Sequence, residues 1–385
     1  MRLALLMMSA IVMVIGCHHV GSINGDAGPD TDTDADTDTD ADTDTDADTD
    51  TDTDTDADTG PIECNMGEYS GALTIGTQSG MATLAGYTSI SGNLFINCAS
   101  CTDLSELVCL TSVSGDLNIY GNDALTNLDG LSALTSVGDS LIIYNNPAIT
   151  NLNGLSGITS VVGYLGISGN PALTNLDGLS NITSLGGGLG IKFNGALTSL
   201  DGLSALTSVG GSLVIGLSAY YGGGNDALTN LDGLSGITSV DGDLVIAGNY
   251  ALTNLDGLGG ITSVSRDLQI SNNSALTNLD GLSGITSVSR HLWISLNAAL
   301  TNLNGLSNIT SVSEDCQISY NFTLTNLTGL GALTSVGEEL GITYNDVLPD
   351  CEACDILDQV TSGPTDIDVY NNFDDSCTPV PDNCP

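Results

Sequence analysis

The amino-acid sequence predicts an all-β protein: a right-handed parallel β-helix, or leucine-rich solenoid, with 24-residue coils. Three observations carry that expectation. The pentapeptide Asn127-Leu128-Asp129-Gly130-Leu131 returns, barely altered, at Asn151, Asn175, Ser199, Asn230, Asn254, Asn278, Asn302 and Asn326. The step is 24 residues each time except for one of 31, which makes each copy one unit of a stacked array. Within a unit, apolar residues first recur every third position and then alternate with polar ones. Because such an array grows by adding units, a length of 385 residues does not imply several domains.

One unit, taken from Leu125, shows how the pattern works. Leu125, Leu128, Leu131, Leu134 and Val137 fall at a period of three, which reads as short extended segments joined by bends that each turn an apolar side chain inward. After a Gly-rich turn, Leu141-Ile142-Ile143-Tyr144 alternates and reads as a strand with Leu141 and Ile143 inward and Ile142 and Tyr144 outward. Stacking these strands predicts a parallel sheet along a rod of about eleven coils. An Asn closes each strand, from Asn122 and Asn146 to Asn321 and Asn345, and is expected to form a ladder of amides that satisfies backbone groups at the bend.

Around the array the chain changes character. Residues 1–16 carry Arg2 and then an apolar run too short to span a bilayer, the pattern of a secretory signal. Val14-Ile15-Gly16-Cys17 resembles the bacterial lipobox, which implies cleavage before Cys17, lipidation of its thiol and, with His18 following, display at the outer membrane or cell surface. Residues 17–62 form an Asp/Thr-rich tether with Asp at every even position from Asp30 to Asp58. It has no apolar surface to offset chain entropy, so it is expected to be disordered, with an upper reach of roughly 150 Å. Residues 63–385 form the solenoid, with 347–385 as its C-terminal cap. Solenoid ends must cover an exposed core, and the cysteines gather there. In the oxidising setting that export implies, Cys64, Cys98, Cys101, Cys109, Cys351, Cys354, Cys377 and Cys384 are disulfide candidates. Cys316 takes the place of an inward Leu and reads as a buried free thiol.

The run Leu-Thr-Asn-Leu-Asp-Gly-Leu-Ser-x-Leu/Ile-Thr-Ser-Val, followed by Gly-x-Leu-x-Ile and the strand-closing Asn, resembles the receptor L-domain family. This is the leucine-rich β-helix of insulin-receptor and epidermal-growth-factor-receptor ectodomains, also found in bacterial surface lipoproteins. The resemblance implies a binding role but transfers no ligand-contact residue, and the uninterrupted 24-residue repetition departs from the irregular animal domains.

Charge excludes one class of partner. The sequence holds 47 acidic residues and 4 Lys or Arg, and beyond Arg2 only Lys192, Arg266 and Arg290 remain, so there is no basic patch for nucleic acid. No catalytic triad, phosphate loop or metal-ligand spacing on a helix is present, and no cofactor is implied, with zinc within one cap at Cys98-x-x-Cys101 or Cys351-x-x-Cys354 the rival reading to disulfides. A non-catalytic binding or adhesion module for a glycan or protein is therefore expected, with a structural spacer as the alternative and a polysaccharide-active enzyme as a remote one. The candidate ligand residues are the large outward side chains Tyr120, Ile142, Tyr144, Lys192 and Trp293. Tyr220 and Tyr221 join them, from the insertion Leu217 to Gly223 that produces the 31-residue step.

Overall fold

The computed structural model describes residues 62–217 and 224–373. Cys17, the tether, Tyr220, Tyr221, Cys377 and Cys384 lie outside the described residues. Each coil has the same three sides. One full turn runs through the long strand Leu141–Tyr144, the 3-10 helix Asn153–Leu155 and the short strand Ser160–Val161. The long strands stack into one 13-stranded parallel sheet, from Leu73–Ile75 to Asp366–Tyr370, so the array extends beyond the eleven coils expected. The short strands form a seven-stranded and a three-stranded sheet, linked by single bridges through Val209, Val240, Val264 and Val288. Register is constant: Leu pairs with Leu and Ile with Ile, apart from Cys316 and the last strand, even across the 31-residue step, where Leu213 meets Leu244 and Ile215 meets Ile246.

The period-three residues require a correction. Asp129–Leu131 and its counterparts are single turns of 3-10 helix rather than extended bends. A 3-10 helix has three residues per turn, so side chains three apart eclipse one another, and the spacing of Leu128, Leu131 and Leu134 is its natural signature. Leu125, Leu128, Leu131, Leu134, Leu141 and Ile143 are fully buried, and they join their counterparts from every coil in one continuous apolar column. Asn127 opens the helical turn by accepting the Asp129 N–H on its Oδ1 at 3.0 Å, an Asx turn that recurs at Asn151, Asn175 and Asn230. The Gly after Asp serves the stacking of coils. A Cβ at Gly130, Gly154 or Gly178 would collide with the carbonyl oxygen of Leu104, Leu128 or Leu152 in the preceding coil.

Buried polar groups are satisfied coil to coil. The Asn170 Nδ2 donates to Ile143 O at 3.1 Å and to Asn194 Oδ1 at 3.3 Å, while Asn194 Oδ1 also accepts the Asn170 N–H at 3.1 Å. This pattern runs from Cys98, whose N–H donates to Asn122, through to Asn372. It crosses the insertion unbroken, since Asn194 N–H donates to Asn225 Oδ1 at 3.2 Å. On the other sides, Thr hydroxyls donate to the backbone of the preceding coil, as Thr135 does to Thr111 O and Thr183 to Thr159 O.

The ends depart from the repeat. Cys64 bonds Cys109, Cys98 bonds Cys101, and Cys351 and Cys354 are both disulfide-bonded. The helix Asp350–Gln359 closes the C-terminal end with Ala353, Cys354, Ile356 and Leu357 buried. Its side chains take over backbone bonds that a further coil would make. Glu352 accepts the Leu327 N–H at 3.0 Å, and Gln359 Nε2 donates to the carbonyls of Leu330 and Leu333. Cys316 is a free, buried thiol, pushed up to about 12 chiefly by burial.

Candidate binding face

The outer face of the 13-stranded sheet carries the large side chains. Each long strand turns its first and third residues into the core and its second outward, with the fourth at the rim. Tyr120 and Tyr144 pair in register on adjacent strands, and their rings stack at 4.8 Å with an interplanar angle of 3°. Ile142 lies beside them on the same strand as Tyr144. Beyond this pair, Gly166 and Gly190 stand at outward positions yet are buried. The cover is Tyr164, the residue before its strand: a Cβ at Gly166 would lie 2.6 Å from the Tyr164 ring, and one at Gly190 would collide with its hydroxyl. Burial pushes the Tyr164 phenol up. Lys192, two strands along from Tyr144, is half-buried, and desolvation lowers its ammonium pKa.

Tyr164 belongs to a second ladder, at the residue preceding each long strand. Ser140 N–H donates to Asp116 Oδ1 at 3.0 Å, Tyr164 N–H to Ser140 Oγ at 3.2 Å, and Asp267 N–H to Asp243 Oδ1 at 3.3 Å. Unlike the Asn ladder it accepts any side chain with an acceptor, and around Asp267 it becomes a charged cluster. Arg266 Nε lies 3.4 Å from Asp243, and Arg290 bridges Asp267 at 3.8 Å and Glu314 at 3.3 Å. His291 accepts the Asp315 N–H on Nδ1 at 3.3 Å and donates from Nε2 to Glu314 at 2.9 Å. Its imidazole stacks on Trp293 at 4.7 Å and 7°. Trp293 is thereby fixed between Gln269 and Gln317, its register partners on either side. Burial, and then the neighbouring Asp243, raise the Asp267 carboxyl, against the pull of Arg290 and His291.

The candidate residues therefore do not converge on one point. Tyr120, Ile142 and Tyr144 form one group, while Trp293 lies six strand steps from Tyr144, roughly 29 Å at the ordinary interstrand spacing. The roles of Tyr164 and His291 were not visible from the strand alternation, because both precede their strands. The usable signal for Tyr164 was the pair of glycines at outward positions on adjacent strands. The Glu314–His291 contact has no nucleophile beside it, and among the described residues no group of three or more His, Cys, Asp or Glu is arranged to hold a metal ion.

Strands, 3-10 turns and an Asn column in 24-residue coils define a leucine-rich-repeat solenoid. Among solved structures, the chain is similar to an internalin from Listeria monocytogenes, with a TM-score of 0.51 at 17% sequence identity, over 79% of this chain and 80% of that one. At that identity the likeness is one of fold. No family model matches the chain, and no curated protein does.

Proposed function

We propose that the protein is a non-catalytic binding or adhesion module, of receptor L-domain-like character, held at a bacterial surface by lipid on Cys17 and an acidic tether, with a glycan or protein ligand. The observation that carries this reading is the segregation of aromatics. Tyr120, Tyr144, Trp293, Tyr320 and Tyr344 lie on or beside the long-strand sheet, whereas beyond Tyr69 and Tyr87, which pack on the core at the N-terminal end, the 3-10 and short-strand sides repeat Asn, Asp, Thr and Ser whose polar groups serve the coil itself. Half-exposed aromatics supply contact area at low entropic cost, and a spacer has no use for concentrating them on one side.

The test is to probe the full chain against glycan and protein arrays, then to repeat the assay with Tyr120, Tyr144, Tyr220, Tyr221 and Trp293 changed to Ala. Loss of binding with the melting temperature kept within a few degrees supports the reading. Absence of any ligand for the native chain favours the spacer. Anchoring is tested separately: Cys17→Ser is expected to move the protein from the membrane fraction to the soluble one or to leave an uncleaved precursor, and unchanged fractionation removes the lipid anchor.

A further inference from the structure

The most unusual surface lies at the corner that follows the long strands, in the last three coils. At this corner the chain turns through a left-handed residue, and in most earlier coils that residue is one that tolerates the conformation, Gly121, Asn145, Gly169, Gly248 and Asn272, with Phe193 an isolated bulky exception. In the C-terminal coils it is Tyr320 with φ 58° and Tyr344 with φ 57°. For a bulky residue this backbone region is unfavourable, and such strain persists mainly where surroundings or function require it.

The two tyrosines are part of a connected group. Their rings stack at 4.6 Å and 6°, Phe322 meets Tyr320 edge-on at 6.4 Å, and Tyr370 meets Tyr344 edge-on at 5.5 Å. Leu296, also at positive φ, and Phe373 extend the patch at its two ends. These side chains are not core. Leu296, Phe322, Tyr370 and Phe373 are 38%, 42%, 44% and 53% exposed. Five of the chain's 16 aromatic residues thus stand between positions 320 and 373, on one corner.

We propose that this aromatic corner is the docking surface for a protein partner that presents apolar side chains within a rim of Lys and Arg. The inference rests on the binding-module reading and narrows it to a place and a partner class. Ring geometry decides between protein and glycan. Sugars stack on open ring faces, but Tyr320 and Tyr344 spend a face on each other and Tyr344 is closed further by Tyr370, which leaves edges and rim positions outward. Aromatic edges beside exposed aliphatics match the anchor chemistry of protein interfaces.

Charge decides the rim. Asp346 and Asp368 flank the corner, and residues 63–385 hold 31 acidic residues against three basic ones. An anionic membrane, a nucleic acid or a second copy of this chain would be repelled, while a basic-rimmed protein would be steered in.

The experiment uses the full chain and a displayed random-peptide library, with selection on the native protein and on two variants. Tyr320→Asn with Tyr344→Asn places at the corner a residue that already occupies it at positions 145 and 272, so the fold is retained. Phe193→Asn makes the same change at the same corner of an earlier coil, outside the patch, and serves as the control. The expected result is enrichment of peptides combining Arg or Lys with aromatic and branched aliphatic residues. Their binding should weaken about tenfold or more on the corner variant, the scale of a lost interface anchor, and hold on the control. The melting temperature of the corner variant should stay within a few degrees of native. A large fall in melting temperature assigns the tyrosines to structure and overturns the proposal. Enriched peptides that bind both variants equally also overturn it. Binding lost only on the Phe193 control moves the site to the earlier coil, leaving the module reading intact and this inference failed. Glycan-array binding that disappears with the corner tyrosines replaces the partner class, and a native chain that enriches no peptide removes it.

Discussion

The 3-10 side and the long-strand side of each coil obey different rules, although both repeat every 24 residues. On the 3-10 side, Asn127, Asp129, Gly130 and Leu131 recur almost unchanged because each has a partner in its own or an adjacent coil: an Asx turn, a backbone carbonyl at collision distance, or a place in the buried column. On the long-strand side only the inward Leu and Ile and the closing Asn are fixed. The outward position runs through Asn118, Ile142, Gly166, Gly190, Val214, Val245, Gln269, Trp293 and Gln317 without a rule. The contrast separates what stacking demands from what it leaves free. Variation on this molecule is where a ligand can be read.

The largest effect is expected at the Asn ladder, whose amides cap the long-strand carbonyls. Asn170→Ala would strand the Asn146 N–H, which donates to Asn170 Oδ1, and the Ile143 carbonyl that Asn170 caps, while Asn146 Nδ2 keeps its bonds to the Ile119 and Tyr144 carbonyls. Each buried polar group left unpaired costs about 1–3 kcal/mol, so the expected loss is about 4 kcal/mol. Chemical denaturation with a shift in midpoint would measure it. A loss under about 1 kcal/mol would mean that water replaces the amide and that the ladder is dispensable.

Next in size is the glycine of the 3-10 turn. Gly202→Ala drives a methyl into the Leu176 carbonyl of the coil before, which rigid backbone on both sides cannot relieve locally. Overpacking of this kind costs about 3 kcal/mol. The sharpening control is Gly195→Ala, a turn glycine whose added Cβ meets nothing within 4 Å. Equal effects at both sites would show that turn flexibility, rather than coil spacing, selects glycine here.

These two columns also show how far sequence reached. The period of 24, the inward Leu and Ile and the Asn ladder follow from residue pattern, since each is set by neighbours at fixed offsets. The 3-10 turn did not, because Leu128, Leu131 and Leu134 recur at a period of 3, which matches neither the α-helix period of 3.6 nor the strand period of 2. At the candidate site, alternation placed Ile142, Tyr144 and Trp293 outward. It gave no sign that Tyr164 would lie across Gly166 and Gly190, because that needs a side chain's direction across two strands. The aromatic corner was missed for a related reason. Tyr320 and Tyr344 follow their strands at the turn, where a left-handed backbone is ordinarily left to Gly or Asn.

A smaller effect is expected at the Thr rows. Thr183 Oγ1 donates to Thr159 O at 3.5 Å on the exposed side of a short strand, so water can substitute for it. Thr183→Val keeps the β-branched shape and should cost about 0.5 kcal/mol. A loss several times larger would make these rows a third obligatory ladder beside Asn and Gly.

The smallest effect concerns pH at the second ladder. Asp267 has its carboxyl raised by burial first and by Asp243 second, with Arg290 and His291 opposing. A carboxyl that is raised on folding binds its proton more tightly in the folded state than in the unfolded one. Its contribution therefore favours the fold at low pH and is lost as pH rises from the ordinary carboxylate range through the raised value. Asp267→Asn keeps an oxygen for the His291 N–H, which Asp267 Oδ1 accepts at 3.3 Å, and removes the charge. Relative to native, the variant should gain stability as pH rises through that window and hold the gain at neutral pH, less what is lost with the 3.8 Å contact to Arg290. Thermal midpoints of both proteins across the acid range test the sign. A variant that instead loses ground as pH rises would show that Arg290 and His291 outweigh burial, and that the charged cluster holds the Asp267 carboxylate as a net stabilising anion.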